Sequence, residues 1–161
     1  MKIFIGADHT GYELKERLKV YLNELGYETE DKGSFKYDQN DDYPDFVRPV
    51  AEAVSSNPDS RGILLGGSGQ GEAICANRIK NVRAALFYGQ VIPKSATDIT
   101  GRKSVDPFEI ILLERKHNDA NILSLGVRFI TEDEAKFAVE LFLTTEFSGE
   151  ERHIRRIKKL G

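Results

Sequence analysis

The sequence predicts an α/β protein: a three-layer αβα sandwich of Rossmann-like type, built on a five-stranded parallel sheet with helices on both faces. Two observations carry this expectation. Short apolar runs alternate with segments at helical spacing along the chain, the rhythm of successive strand–helix–strand units. The run "RGILLGG" is apolar without interruption, as a strand covered on both faces requires. At 161 residues the chain suffices for one domain with a real core, so residues 1–161 are expected to form a single unit.

Each element follows in order. "KIFIGA" (residues 2–7) is an apolar run that stops at Asp8, and the next segment sets Leu14, Leu18, Tyr21, Leu22 and Leu25 at helical spacing before Gly26. "YETEDKG" alternates as a second strand. Pro44 marks the start of a helix carrying Phe46, Val50, Ala53 and Val54, with a kink or late start expected at Pro49. "RGILLGG" gives the third strand and "EAICANRI" a helix, while "NVRAALFYG" and "NILSLGVRFI" give the fourth and fifth strands. Thr131 and Glu134 form a capping box that opens "TEDEAKFAVELFLTTEF". One segment breaks the rhythm: residues 89–108, with Pro93 and Pro107 and no periodicity, read as a long surface loop. A basic helix over 149–160 ends the chain.

Composition narrows the function classes. Hydrophobic residues are 40% and charged residues 30%, as in a globular protein, and no stretch approaches a membrane span. The opening reaches an aspartate too early for a signal peptide, so a cytoplasmic location is expected. Cys75 has no second cysteine to pair with and reads as a small buried hydrophobe. Net charge is −3, yet the tail "ERHIRRIKKLG" holds five Lys/Arg against one Glu. An overall pI of about 5.7 argues against a nucleic-acid binder, whereas a small phosphorylated ligand needs only the two or three cations that the tail supplies.

Parallel sheets bind ligands at the carboxyl ends of their strands, so the candidate chemistry is expected at Asp8-His9, at the Gly66–Glu72 loop and around His117. The stretch "GGSGQGE" puts four glycines in seven residues. It lacks the Gly-Lys-Ser/Thr ending of a P-loop, and Glu72 stands where a dinucleotide fingerprint would want glycine. What remains is a turn whose amides can face a developing oxyanion, with Glu72 projecting from the first helical turn either as a reagent or as a complement to the helix dipole. Asp8 and His9 can relay protons or bind an anion, or Asp8 can cap the following helix. His117 is a cap or a catalyst. Arg152 and Arg156, at i and i+4 with His153 between them, share a helix face able to grip one phosphate.

Taken together, "GADHTGYELK", "DDYPDF", "GILLGGSGQGEAICANRIKNVRAAL", "HNDANILSLGVR" and "ERHIRR" resemble the type B ribose-5-phosphate isomerase family, which also includes galactose-6-phosphate isomerase subunits. The resemblance implies interconversion of ribose 5-phosphate and ribulose 5-phosphate without metal or organic cofactor. It also implies a homodimer or tetramer whose sites are shared between subunits. In many members a cysteine ending the third strand is the base; here that position is Gly66. A second branch carries "GGSGxGE" and uses the glutamate, which Glu72 matches. Carried over by residue, His117 opens the ring with or without Asp8, and Ser68 with the amides from Gly67 through Gly69 to Gly71 holds the enediolate. Asn118 binds sugar hydroxyls, and Tyr43 lies against the sugar. His9, Arg128, Arg152 and Arg156, with His153 nearby, surround the phosphate, some of them from the partner. The 89–108 loop is expected to be an insertion that reshapes the pocket's wall, covers it as a lid or adds an oligomer contact. An isomerase of allose 6-phosphate or galactose 6-phosphate, or a sugar-phosphate-binding protein without catalysis, are the alternative readings.

Overall fold

The computed structural model describes residues 1–160. The chain runs β1 (Lys2–Ala7), α1 (Tyr12–Glu24), β2 (Glu28–Asp31), α2 (Pro44–Ser56), β3 (Arg61–Gly66), α3 (Gln70–Ala76), β4 (Ala84–Phe87), α4 (Glu109–Asn118), β5 (Ile122–Gly126), α5 (Glu132–Thr144) and α6 (Glu151–Ile157). All strand pairs are parallel and the sheet order is β2-β1-β3-β5-β4. Because the chain leaves β1 for one neighbour, β2, and returns to the other side at β3, the sheet reverses direction between β1 and β3. That is where such sheets open a crevice at their carboxyl ends. The described residues contain no helix long and apolar enough to cross a membrane.

Alternation along the central strands feeds two separate cores. Ile3, Ile5, Ile63, Leu65, Leu123 and Leu125 turn to the face covered by α1, α4 and α5, where Leu18, Leu22, Ile111, Val139 and Phe142 meet them. Phe4, Leu64 and Ile122 turn to the face covered by α2 and α3, against Val47, Val50, Val54 and Ala76. Strands buried on both faces explain why "GILLG" carries no polar alternation. The capping box at Thr131 is present: its side chain accepts from the Glu134 amide, and the Glu134 carboxylate accepts from the Thr131 amide.

Two sequence expectations change in detail, and the long loop is present as expected. Helix α2 begins at Pro44 and runs unbroken through Pro49 rather than starting late. The ring nitrogen of Pro49 forgoes one backbone bond, costing about 3 kcal/mol. Burial of Val47, Val50, Ala51 and Val54, at roughly 1.5–3 kcal/mol for each valine, outweighs that. The C-terminal helix is shorter than 149–160: Gly149 adopts a positive φ of 67° and Glu150 is extended, so helical geometry starts only at Glu151 and ends at Ile157. Residues 89–108 hold no helix or strand, yet the loop is anchored. The Val91 amide donates to the Pro107 carbonyl at 2.9 Å, the Thr97 amide to the Arg102 carbonyl at 2.7 Å, and the Arg102 guanidinium binds the buried Glu109 carboxylate.

Two buried charges were not legible from helical spacing. Lys15 is fully enclosed, and its ammonium donates to Asp31 Oδ2 at 2.6 Å and to the Ser34 carbonyl at 2.8 Å. It ties α1 to the end of β2 and the segment after it, and that segment is held to the end of β1 by backbone bonds, the Ala7 amide donating to Gly33 O and the Ser34 amide to Ala7 O. Glu114 on α4 is 7% exposed, its Oε2 has no partner among the described residues, and burial pushes its carboxyl up to about 8. With the folded value above the ordinary 4.5, the folded state favours the proton; the contribution of Glu114 to stability is fully present below pH 4.5 and is lost as pH rises through 8. At about 1.4 kcal/mol per pH unit, the loss by pH 7 is bounded near 3 kcal/mol. Glu114→Gln is therefore expected to raise the unfolding midpoint at pH 8 and to leave it nearly unchanged at pH 5, read by thermal unfolding followed by circular dichroism.

Candidate active site

The parallel register brings β1 and β3 to a common level. Ala7 pairs with Leu65, so Asp8 and His9 leave β1 beside the point where Gly66 and Gly67 leave β3. On the other side Gly66 pairs with Gly126. Beyond that pair, the Val127 amide donates to Gly66 O at 3.0 Å and the Arg128 amide to Gly67 O at 3.2 Å. The glycine loop is thus held between two strand ends. Ser124 Oγ, inside the sheet, donates to Gly69 O at 2.7 Å and pins it from below.

Within the loop, Gly69 has φ of 71°, a left-handed turn in which a Cβ would meet the Leu125 carbonyl carbon at 2.9 Å. This turn starts α3 and places Glu72 in its first turn, 4% exposed. The Glu72 side chain folds back toward the end of β3: a Cβ built on Gly66 would coincide with the Glu72 carboxyl group. The missing side chain at position 66 is therefore the space that the carboxylate occupies. Burial raises the Glu72 pKa, and the nearby Asp8 charge adds to it. The packing of the fold itself supplies this rise.

Around Glu72 the other expected groups divide. Asp8 is buried, and its Oδ1 accepts from the amides of Thr10 at 2.9 Å and Gly11 at 3.2 Å, the turn-capping role. The Arg128 guanidinium lies over Gly67, with a hypothetical Cβ there only 3.2 Å from its central carbon. Tyr43 caps the approach to α2 with its ring against Gly71, again so close that a Cβ would sit 2.9 Å from Cζ. Ser68 Oγ accepts from the Gln70 amide at 3.3 Å. His9 Nδ1 lies 2.6 Å from Asp41 Oδ1, and this hydrogen bond raises the His9 pKa. A cleft of about 450 Å³ opens beside His9 and Arg128, with Thr10, Glu13, Arg17 and Tyr37 on its walls.

His117 and Asn118 are elsewhere, which corrects the expectation that they follow a strand's carboxyl end. They close α4 and precede β5, so they sit at the amino ends of the strands. Arg83, just before β4, donates to the carbonyl of Asn118 at 3.0 Å, which fixes that position. Five residues of β5 separate the two ends, roughly 16 Å of strand. His117 stacks on His153 of α6 with ring centroids 4.2 Å apart, and burial lowers the pKa of both. Arg152 binds Glu150 at 2.8 Å, while Arg156 is exposed. The constellation read from the sequence is thus two clusters on one chain: Asp8, His9, Tyr43, Gly66–Glu72 and Arg128 at one end of the sheet, and His117, Asn118, Arg152, His153 and Arg156 by the other.

Asp41 escaped the sequence reading. It lies in "DDYPDF", yet nothing local distinguishes it from its acidic neighbours, and its partner His9 is 32 residues away.

A Rossmann-like sheet here carries a buried carboxylate with a raised pKa at its switch point, backed by a glycine turn and flanked by His9 and Arg128, an arrangement suited to proton transfer on an anionic ligand. The chain belongs to the Ribose/Galactose Isomerase family, whose sequence pattern matches residues 3–100 and 107–160. The stretch outside that pattern, 101–106, is narrower than the 89–108 loop. Ribose-5-phosphate isomerase B of Mycobacterium tuberculosis is 39% identical over 161 residues, covering 100% of this chain and 88% of the relative. The crystal structure of ribose-5-phosphate isomerase B from Mycoplasma genitalium with bound ribulose 5-phosphate superposes with a TM-score of 0.84 at 38% identity, covering 99% and 93% of the two chains. The Clostridium thermocellum ribose-5-phosphate isomerase B gives 0.84 at 40% identity over 100% and 95%.

Proposed function

We propose that the chain interconverts ribose 5-phosphate and ribulose 5-phosphate through a cis-enediolate, with Glu72 as the base. The single observation that carries the mechanism is the Glu72 carboxylate, buried, with a raised pKa, in the space left open by Gly66. A base of this kind takes the proton from C2 of the open-chain aldose and returns it at C1, and efficiency is best when its pKa approaches the working pH. Ser68 and the amides of the Gly67–Gly71 turn face the oxygens that become negative, which are stabilised most by donors already in place. His9 and Arg128 supply cationic donors for the phosphate at the mouth of the same crevice.

The second cluster completes the site from another copy of the chain. His117, with its depressed pKa, is neutral near pH 7 and suited to carry a proton between ring oxygen and O1 during ring opening, with Asn118 on the sugar hydroxyls. Arg152 and Arg156 add charge around the phosphate. Asp8, whose oxygen is taken up by two amides, holds the turn that carries His9. The separation of the clusters supports a homodimer or tetramer whose sites are shared between subunits. The buried, unpaired thiol of Cys75 supports a reducing compartment such as the cytoplasm.

The test is an isomerase assay on ribose 5-phosphate, allose 6-phosphate and galactose 6-phosphate without added metal, with Glu72→Gln alongside. Ribose 5-phosphate is expected to turn over fastest. Glu72→Gln is expected to lower kcat by about 10²–10⁴-fold, the usual worth of a positioned base, with KM little changed. A Glu72→Gln enzyme working near the wild-type rate overturns the assignment.

A further inference from the structure

We propose that Asp41 is a positioning residue for phosphate binding: one of its carboxylate oxygens receives both the backbone amide and the ring Nδ1 of His9, and so aims the opposite ring nitrogen, Nε2, at the ligand. The inference rests on the isomerase reading for the identity of the ligand, but its geometry does not.

The bonds are specific. His9 N donates to Asp41 Oδ1 at 3.1 Å, and His9 Nδ1 lies 2.6 Å from the same oxygen. The other oxygen, Oδ2, is buried without a partner among the described residues, so His9 alone holds this side chain. A carboxylate kept out of water with one oxygen unmet is costly, and serving as a structural turn does not explain it, since no amide of its own loop binds it. Accepting from Nδ1 fixes that nitrogen as the protonated one, and because His9 lines the cleft its other nitrogen, Nε2, is the one assigned to the ligand. Tyr37 closes one side of the ring edge-on, with centroids 6.4 Å apart.

The charge follows from the same contact. The groups facing His9 are Asp41 from the loop before α2, Asp8 at the end of β1 and Arg128 after β5; Glu13 and Arg17 of α1 and Glu132 of α5 line the cleft beyond. Arg17 Nε is engaged by Glu132 at 3.0 Å. Among these the Asp41 hydrogen bond is the largest influence, and it raises the His9 pKa. With both nitrogens protonated, His9 presents Nε2–H as a charged donor to phosphate, beside the Arg128 guanidinium. Without Asp41, His9 returns toward the neutral form above pH 6.5, and the donor is lost as the pH rises.

The experiment combines histidine NMR with kinetics on the intact enzyme. The His9 signal, assigned among three histidines with His9→Asn, is expected to titrate above 6.5 in the wild type and at lower pH in Asp41→Asn, and to shift on addition of inorganic phosphate. In Asp41→Asn the KM for ribose 5-phosphate is expected to rise about tenfold at pH 8 with kcat nearly intact, and to return to within about threefold of wild type at pH 6, where the freed histidine protonates. Ionisation of the substrate phosphate affects both enzymes alike and cancels in the ratio. A loss that is the same at both pH values, or a His9 titration unmoved by the substitution, overturns the inference. If the wild type isomerises none of the sugars, the functional reading fails, and the NMR titration still decides the role of Asp41.

Discussion

Gly66→Ala is expected to lower kcat by about 10²-fold or more while leaving the fold intact, although it adds only a methyl group. A 1 Å misplacement of a reacting group costs a factor of that order. The backbone at Gly66 is ordinary β-strand, so alanine meets no conformational penalty there. What it meets is the Glu72 carboxyl, which stands where the new Cβ would be. Either the carboxyl swings away from the crevice or α3 shifts, and both move the base from the carbon it must reach. Glycine at 66 and glutamate at 72 are therefore one device, a space and its occupant. Steady-state kinetics on ribose 5-phosphate, with circular dichroism to establish folding, makes the comparison. A wild-type kcat in a folded Gly66→Ala enzyme shows that Glu72 does not work from this position. Gly66→Val tests the same space more severely, since its two methyl groups project further into the volume that Glu72 fills.

The legibility of this design in the sequence divides along physical lines. Strand and helix positions were readable because each depends on a local period, and the Thr131–Glu134 box because its bonds span three residues. Glu72 was readable in part: a carboxylate in the first turn after a glycine loop serves as a reagent or as a complement to the helix dipole, and only the packing against Gly66 shows that the fold encloses it. His117 was misplaced because strand ends look alike in sequence, whereas its location depends on which strand follows α4. The order β2-β1-β3-β5-β4, in which β5 enters between β3 and β4, is set by non-local packing. Asp41 pairs across 32 residues, and the enclosure of Lys15 and Glu114 depends on helices and loops that their own spacing does not specify.

Mixing two inactive variants is expected to restore activity. Glu72→Gln removes the proposed base at the carboxyl end of the sheet, and His117→Asn removes the imidazole near the amino end. In one chain these residues cannot meet, because the whole length of β5 lies between the strand ends that carry them. A site that uses both must take one from each of two copies, and a two-fold dimer does so twice. When equal amounts of the variants are unfolded and refolded together, half the dimers are mixed. Each mixed dimer carries one site with both defects and one site with neither. The recovered rate is then about one quarter of wild type, against a background set by either variant alone. Recovery requires that subunits assemble after mixing, which analytical ultracentrifugation establishes on the same samples. If dimers form and the rate stays at background, His117 and Glu72 do not serve a common site, and the ring-opening role passes to Asp8 within the same chain. If the rate recovers, the basic tail is assigned with His117: α6 is seated against α4 through the His117–His153 stack, so Arg152 and Arg156 travel into the partner's site with the imidazole. The net acidic chain then has its positive charge concentrated where another copy's crevice would meet it, which accounts for the asymmetry that composition alone left without a reason.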